Sequence, residues 1–247
     1  MSTLDIKQVS KQFGDKQILN KLDLEVHEGE FVALLGPSGS GKSTIFHMIG
    51  GLFTPDEGSI YIDNKEITGK RGSISYMPQT PSLFPWRTIL DNVLLSQEIN
   101  GKPDKQKAIK MLERAGLIDY QHAFPHQLSG GMRQRVAFVR SLLSPQSFIC
   151  LDEPFSALDE LTRLDMQNWL LSIWEEERPS VLFVTHNIEE AIYLSDRIVV
   201  LGEQEKRIIH EQEVPFKRPR KESITLTEEF LASKKNIYKK LRRISHV

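Results

Sequence analysis

The 247-residue sequence has a single cysteine, a formal net charge of only −1 and no long apolar run. One cysteine excludes an internal disulfide and a metal site built from cysteines alone. No stretch approaches the roughly 18 apolar residues that a membrane-spanning helix requires. The segment from Met1 to Lys11 lacks the apolar centre of a signal peptide, so we expect the chain to remain in the cytoplasm.

The small net charge hides an uneven distribution. Residues 217–247 carry ten Lys and Arg against three acids, whereas the remainder has an excess of acids. Such a segment can meet phosphates, anionic lipid or an acidic partner, but the interpretation we favour is a solvated amphipathic helix. The acids after Thr227 are typical of a helix start, and the cations from Lys239 to Arg243 suit its end.

Apolar strands alternate with helical patterns along most of the chain. Continuous apolar runs, typical of strands buried on both faces, occupy residues 31–35, 148–151 and 181–184. Helical periodicity lies between them, and the segment from about 89 to 137 is mostly helical and forms a subdomain. This order predicts βαβ units around a mostly parallel sheet, which is an α/β fold.

A glycine-rich loop follows the first apolar run and precedes a helix. It fits the pattern G-x-x-x-x-G-K-[ST] and comprises Gly36, Pro37, Ser38, Gly39, Ser40, Gly41, Lys42 and Ser43, with Thr44 next. The glycines let backbone N–H groups point inward, towards a phosphate at the positive end of the helix. Lys42 can reach the β- and γ-phosphates, and the Ser43 hydroxyl can bind Mg²⁺.

Two acids follow the second apolar run. Asp152 stands where it can hold the Mg²⁺, and Glu153 can orient or polarise an attacking water. Together with the glycine-rich loop, these acids predict a nucleotide triphosphatase.

A second phosphate-binding helix start precedes that strand. Ser129 can cap a helix, and Gly130 and Gly131 expose backbone N–H groups. One chain has no obvious use for two such starts. The economical interpretation is a head-to-tail pair of subunits in which the two starts face different nucleotides.

The run Leu128-Ser-Gly-Gly-Met132 resembles LSGGQ, the signature of the nucleotide-binding subunits of ATP-binding-cassette (ABC) transporters. The resemblance extends from about Leu4 to Glu213. It implies a P-loop NTPase core with a mostly parallel sheet, an N-terminal antiparallel β subdomain and a helical subdomain. It also implies ATP with Mg²⁺, and a homodimer whose sites are composite. Met132 replaces the Gln of the signature, and we expect this change to tune binding rather than abolish it.

The resemblance also assigns roles to single residues. Phe13 is similar to the aromatic that stacks on adenine, although an ordinary packed aromatic is the alternative. Gln79 matches the glutamine that contacts Mg²⁺ and senses the γ-phosphate, and Ser156–Asp159 matches the D-loop that crosses the dimer interface. His186 matches the histidine that contacts the γ-phosphate, where a lone structural histidine is the alternative. The implied catalytic residues are Glu153, His186, Gln79 and Lys42, and the implied metal ligands are Ser43, Gln79 and Asp152.

Two further stretches, 83–93 and 155–163, look like the branch that serves nitrate, sulfonate, taurine and pyrimidine-precursor importers. Phe84, Pro85 and Trp86 form a predicted exposed apolar patch, which marks a protein contact unless it packs locally. In this family the patch and Gln79 lie at the groove that receives a membrane permease. The resemblance thus implies a peripheral protein at the cytoplasmic membrane face, working indirectly with an extracytoplasmic solute-binding protein.

Two alternatives stay open. An exporter cassette shares the same nucleotide motifs, whereas the separate chain and the patch at 84–86 favour import. A non-transport ABC ATPase acting on nucleic acid is disfavoured, since the chain has one glycine-rich loop, one signature and no heptad run. We therefore expect an ATPase domain over residues 1–216, a basic extension over 217–247 and no nucleic-acid partner.

Overall fold

A six-stranded sheet forms the centre of the molecule, which a computed structural model describes from residue 3 to residue 242. In spatial order its strands are β10 (Ile208–Glu213), β9 (Arg197–Leu201), β3 (Phe31–Leu35), β8 (Ser180–Val184), β7 (Phe148–Asp152) and β6 (Ser75–Met77). Every neighbouring pair is parallel except β10 with β9. Strands β3, β7 and β8 are buried along their whole length, which is why each reads as a continuous apolar run.

A smaller antiparallel sheet is built mainly from the N-terminal part of the chain. Its order is β2 (Lys16–Val26), β1 (Leu4–Phe13), β4 (Glu57–Ile62) and β5 (Lys65–Glu66). Leu4 pairs with Val26 on one side and with Ile62 on the other. Alternate side chains of β1 and β2 face a core shared with β3 and the first helix. The expected combination of a mostly parallel sheet and an antiparallel sheet is confirmed.

Seven α-helices lie within the described residues. They are α1 (Lys42–Ile49), α2 (Ile89–Ile99), α3 (Lys105–Arg114), α4 (Gly130–Leu142), α5 (Glu160–Glu177), α6 (Ile188–Leu194) and α7 (Glu228–Arg242). Short 3-10 turns occupy Ile118–Tyr120, Pro125–Gln127 and Glu222–Leu226. Helices α2, α3 and α4 share an apolar core of their own. Between residues 3 and 242, no helix is long and apolar enough to cross a membrane.

The C-terminal segment contains the expected amphipathic helix, and the apolar face of that helix packs against the core. Phe230 and Ile237 of α7 are buried in the main apolar cluster. Arg220 is also buried, and its guanidinium donates to the carbonyls of Ile192, Tyr193 and Ser195 at the end of α6. These contacts satisfy carbonyls that a helix end leaves free. Arg243, the last of the cations assigned to the helix end, lies outside the described residues.

Candidate active site

The strand order brings four chain segments to one edge of the central sheet. Strands β3, β8, β7 and β6 are consecutive and parallel, so their carboxyl ends meet at the same edge. The glycine-rich loop follows β3, Glu153 follows β7, His186 follows β8 and Gln79 follows β6. This edge is where ligands bind in open α/β sheets.

The glycine-rich loop closes around its own lysine. The Lys42 ammonium donates to the carbonyl oxygens of Gly36 (2.8 Å) and Pro37 (2.9 Å). Burial lowers the pKa of Lys42, while the charges of Glu153 and Asp152 oppose this shift. Gly41 caps α1 at a φ of 106°, a left-handed conformation that side chains disfavour. The first turn of α1 therefore presents N–H groups, without a side-chain cap, beside a buried cation.

Two predicted catalytic residues converge on a carboxylate oxygen of a third. Glu153 Oε2 lies 3.1 Å from His186 Nδ1 and 3.4 Å from Gln79 Nε2. Glu153 itself sits at a φ of 43°, immediately after β7, and its N–H donates to the Val184 carbonyl of β8. The turn thus directs the carboxylate away from the buried strand and towards the loops that follow β6 and β8.

Asp152 lies deeper in the same site. Its Oδ2 accepts a hydrogen bond of 3.1 Å from the Tyr76 hydroxyl of β6. Burial raises the pKa of Asp152, and the Tyr76 hydrogen bond and the charges of His47 and Lys42 partly offset this rise. Burial also raises the pKa of Tyr76, so its hydroxyl stays protonated as the donor. Because burial disfavours the charged form of this carboxylate, a nearby cation would stabilise it.

A cavity of about 490 Å³ lies between the glycine-rich loop and the pair Glu153 and His186, and neither Asp152 nor Gln79 lines it. Its wall combines Ser38, Gly39, Gly41, Lys42, Ser43 and Thr44 with Glu153 and His186. Gly36 and Ser40, two further residues of the loop, are buried. The carbonyls of Gly36 and Pro37 accept the hydrogen bonds from Lys42.

Sequence reasoning missed three residues of this site. Lys16 and Ile18 of β2 complete the cavity wall, and Tyr76 holds Asp152. Lys16 lies just after the Phe13-Gly14 turn of the β1–β2 hairpin, so its closeness to Phe13 was an available signal. No local pattern marks Ile18 or Tyr76.

Phe13 stands at the tip of the same hairpin with 44% of its surface exposed. Its ring packs edge-on against Phe53, with centroids 5.3 Å apart, and the Lys11 ammonium lies 5.3 Å from its centroid. The ring is thus partly packed and partly accessible, at the end of the hairpin that also supplies Lys16 to the cavity.

The second helix start is separate from this cavity. Ser129 caps α4, and its Oγ accepts from the Met132 N–H at 3.3 Å. A Cβ on Gly130 would meet no atom within 4 Å, whereas one on Gly131 would lie 2.7 Å from Thr162 Cγ2 of α5. Within residues 3–242, the cavity around Lys42 includes none of Ser129, Gly130 and Gly131. The first turn of α4 therefore packs on α5 and leaves Gly130 open.

The segment Ser156–Asp159, the predicted D-loop, connects Glu153 to α5. Ser156 Oγ lies 3.3 Å from Gln79 Nε2 and donates to the Glu153 carbonyl at 3.0 Å. Asp159 is exposed and caps α5, accepting from the Thr162 N–H at 3.0 Å. The two ends of Ser156–Asp159 are thus fixed on different elements.

The oxygen donors of the site suit magnesium. Ser43 and Asp152 offer hydroxyl and carboxylate oxygens, and Gln79 adds an amide oxygen. Across residues 3–242 no group of three or more His, Cys, Asp and Glu side chains is placed to hold a metal by itself. Magnesium commonly takes few protein ligands and completes its shell with phosphate oxygens and water.

The predicted apolar patch is largely exposed. Trp86 has 71% of its surface exposed, and its ring lies 5.1 Å from that of half-buried Phe84. Buried Asn92 of α2 holds this turn, since its amide donates to the carbonyls of Phe84, Arg87 and Thr88. The patch is therefore a preorganised surface and not a local core.

Known proteins are similar to this chain in sequence. The family profile described as "ABC transporter" matches residues 19–156. An uncharacterized ABC transporter ATP-binding protein of Methanocaldococcus jannaschii is 43% identical over 89% of this chain and 82% of its own length. The formylaminopyrimidine import ATP-binding protein ThiZ of Halalkalibacterium halodurans is 42% identical over 92% of this chain and 89% of its own. The aliphatic sulfonates import ATP-binding protein SsuB of Zymomonas mobilis is 40% identical, covering 88% and 89%.

A solved structure agrees with these relatives. The ATP-binding cassette MJ0796, described as a dimer in a post-hydrolysis state bound to ADP and Pi, is 33% identical, with a TM-score of 0.74. The match covers 87% of this chain and all of that one. The chain therefore belongs to the ABC transporter family and is one of its ATP-binding, ATP-hydrolysing subunits.

Proposed function

We propose that this ATPase drives the import of a small solute through a separate membrane permease. The observation that carries the catalytic part is the meeting of Gln79 and His186 at Glu153, beside the loop that encloses Lys42. We propose an ATPase domain over residues 1–216, a basic extension over 217–247 and a peripheral position on the cytoplasmic face of the membrane.

The chain's own groups suit phosphoryl transfer. Lys42 exchanges its loop carbonyls for β- and γ-phosphate oxygens, and the backbone N–H groups of residues 38–44 hold the remaining phosphate charge. Glu153 orients the attacking water, and His186 donates to a γ-phosphate oxygen. Ser43, Gln79 and Asp152 would hold Mg²⁺, which would neutralise negative charge on the phosphates. Positioning and electrostatic stabilisation account for most of catalysis in this reaction class.

The signature residues complete the site from a second copy. We propose that Ser129, Gly130 and Gly131 of one protomer cover the ATP held by the loop of its partner. The open face of Gly130 and the dimeric state described for the MJ0796 cassette support this arrangement. Asp159, at the D-loop end, lies at the same interface. ATP then joins the two copies, and its hydrolysis releases them.

Substitution of the catalytic carboxylate tests the proposal. Glu153→Gln keeps the shape of the side chain but loses its charge, so we expect ATP hydrolysis to fall by about 100-fold or more. Binding of ATP persists, and the variant accumulates as an ATP-bound dimer in size-exclusion chromatography. A variant that hydrolyses ATP at the parent rate contradicts the role of Glu153.

The patch at 84–86 is the proposed permease contact. The import proteins ThiZ and SsuB, with about 40% identity, support import of a small solute. The turn fixed by Asn92 holds Trp86 exposed, as an aromatic anchor for a partner helix to bury. We expect Trp86→Ala to preserve ATP binding while abolishing solute-dependent transport in reconstituted vesicles. Normal transport by this variant excludes the contact.

A further inference from the structure

A hydrogen-bonded chain of buried side chains lies directly behind His186. The Thr185 hydroxyl donates to Glu190 Oε2 at 2.6 Å, and the Asn187 N–H donates to the Thr185 Oγ1 at 3.0 Å. Thr185 and Glu190 are 2% and 7% exposed. The residues on both sides of His186 are therefore held to one carboxylate on α6.

The same carboxylate reaches towards the D-loop. Its other oxygen, Oε1, lies 3.6 Å from Arg163 Nε on α5. Arg163 also donates through Nη2 to the Leu158 carbonyl at 2.9 Å. Glu190 thus stands between the turn that carries His186 and the D-loop that ends at Asp159.

We propose that Glu190 is a positioning residue that couples the D-loop to His186 through Arg163 and Thr185. The inference rests on the proposed function, in which His186 contacts the γ-phosphate and the D-loop meets the partner copy. A shift of Leu158 on dimer closure moves Arg163, and Glu190 transmits that shift to the turn of Thr185 and His186.

The energetics fit such a role. Burial raises the pKa of Glu190, and the Thr185 hydrogen bond and the Arg163 charge oppose that rise. Burying a carboxylate is costly unless it is paired and hydrogen-bonded. Losing one partner therefore leaves the other groups poorly satisfied, so the three side chains are expected to move together.

Glu190 acts at a distance from the reacting atoms. It does not line the cavity around Lys42, whereas together with Arg163 it lines a separate cavity between α5, α6 and the turn at 222–226. A residue in this place influences hydrolysis through orientation and not through contact with ATP. Its removal should consequently lower kcat more than it changes the KM for ATP.

The test compares isosteric variants of the full chain. Thr185→Val removes the hydroxyl but keeps the shape, and we expect kcat for ATP hydrolysis to fall by about 10- to 100-fold with KM within about twofold. Thr185→Ser keeps the hydroxyl and should stay within about threefold of the parent kcat. If Thr185→Val fails to fold, kcat and KM are measured for Glu190→Gln instead. This substitution preserves the shape of the side chain and removes the charge that faces Arg163.

Glu189→Gln is the matched control. Glu189 neighbours Glu190 on α6 but is exposed and pairs with Lys234 of α7. We expect its kcat and KM to match those of the parent. The double variant Thr185→Val/Glu190→Gln should be no slower than the slower single variant, because both substitutions break one chain of contacts.

The outcomes separate this inference from the proposed function. Parent-like kcat in folded Thr185→Val or Glu190→Gln overturns the coupling role, as does an equal loss in Glu189→Gln. Multiplicative losses in the double variant overturn it as well. If Glu153→Gln hydrolyses ATP normally in the same assay, the proposed catalytic site fails instead.

Discussion

Helices α1 and α4 begin in similar sequences but in different surroundings. The start of α1 has no side-chain cap and lies beside Lys42, Glu153 and His186. The start of α4 is capped by Ser129 and lies outside the cavity that these groups line. Both offer backbone N–H groups to an anion. Only α1 combines them with groups that can perform chemistry on it.

This contrast shows how one chain accommodates two such helix starts. At α1 the loop is already closed on a cation, so this start can hold a phosphate with residues of its own chain. At α4 the serine satisfies one N–H and Gly130 stays open. We propose that a second copy supplies the ligand for α4.

The largest expected effect comes from mixing two inactive variants. Lys42→Ala removes the cation of α1, and Ser129→Arg blocks the start of α4, so each homodimer should lose nearly all hydrolysis. In a mixed dimer, the intact loop of one protomer meets the intact signature of the other. Equal mixing should restore about a quarter of the parent ATPase activity, if exchange is random.

Activity in the mixture has a clear control. Mixing Lys42→Ala with Glu153→Gln should restore nothing beyond the separate proteins, since both substitutions damage the same half of the site. Full activity of Ser129→Arg alone contradicts the composite site.

A smaller effect is expected at the adenine end of the α1 site. Stacking on an aromatic ring is worth about 1–3 kcal/mol per base, so Phe13→Ala should raise the KM for ATP by about tenfold or more. Phe13→Tyr should restore it. Tyr238→Ala, which removes an equally exposed ring on α7, is the control and should leave the KM unchanged. A parent-like KM in Phe13→Ala indicates that the ring only packs against Phe53.

The smallest effect is expected from glycine replacements at the two helix starts. Gly41→Ala forces a side chain into the left-handed region, so we expect the thermal midpoint to fall by roughly 2–8 °C. Gly130→Ala meets no atom and adopts a helical position, so its midpoint should stay at or above that of the parent. The thermal midpoints are measured by calorimetry. An equal decrease in Gly41→Ala and Gly130→Ala contradicts the contrast between the two helix starts.

Much of the fold followed from local patterns. The runs at 31–35, 148–151 and 181–184 are strands because continuous apolar sequence suits positions buried on both faces. Helix α5 begins after Asp159 and α4 after Ser129, where a capping side chain precedes helical periodicity. Such features depend on neighbouring residues and are therefore readable without tertiary structure.

The C-terminal segment shows what such patterns leave out. Its sequence predicted a solvated amphipathic helix, which is present, but not that Phe230, Ile237 and Arg220 are buried against the core. The carbonyls that accept from Arg220 belong to Ile192, Tyr193 and Ser195, which are distant in sequence. No local pattern identifies a partner of that kind.

Local sequence patterns were enough to identify the chemical groups of this protein: a phosphate-binding loop, two acids after a strand and a second helix start that Ser129 caps. Tertiary structure alone decided that Tyr76 holds Asp152, that Gln79 and His186 share Glu153, and that Glu190 joins α5 to α6. The physical reason is that strand order sets these contacts. Parallel strands β6, β7 and β8 bring their carboxyl ends together only once the sheet is assembled.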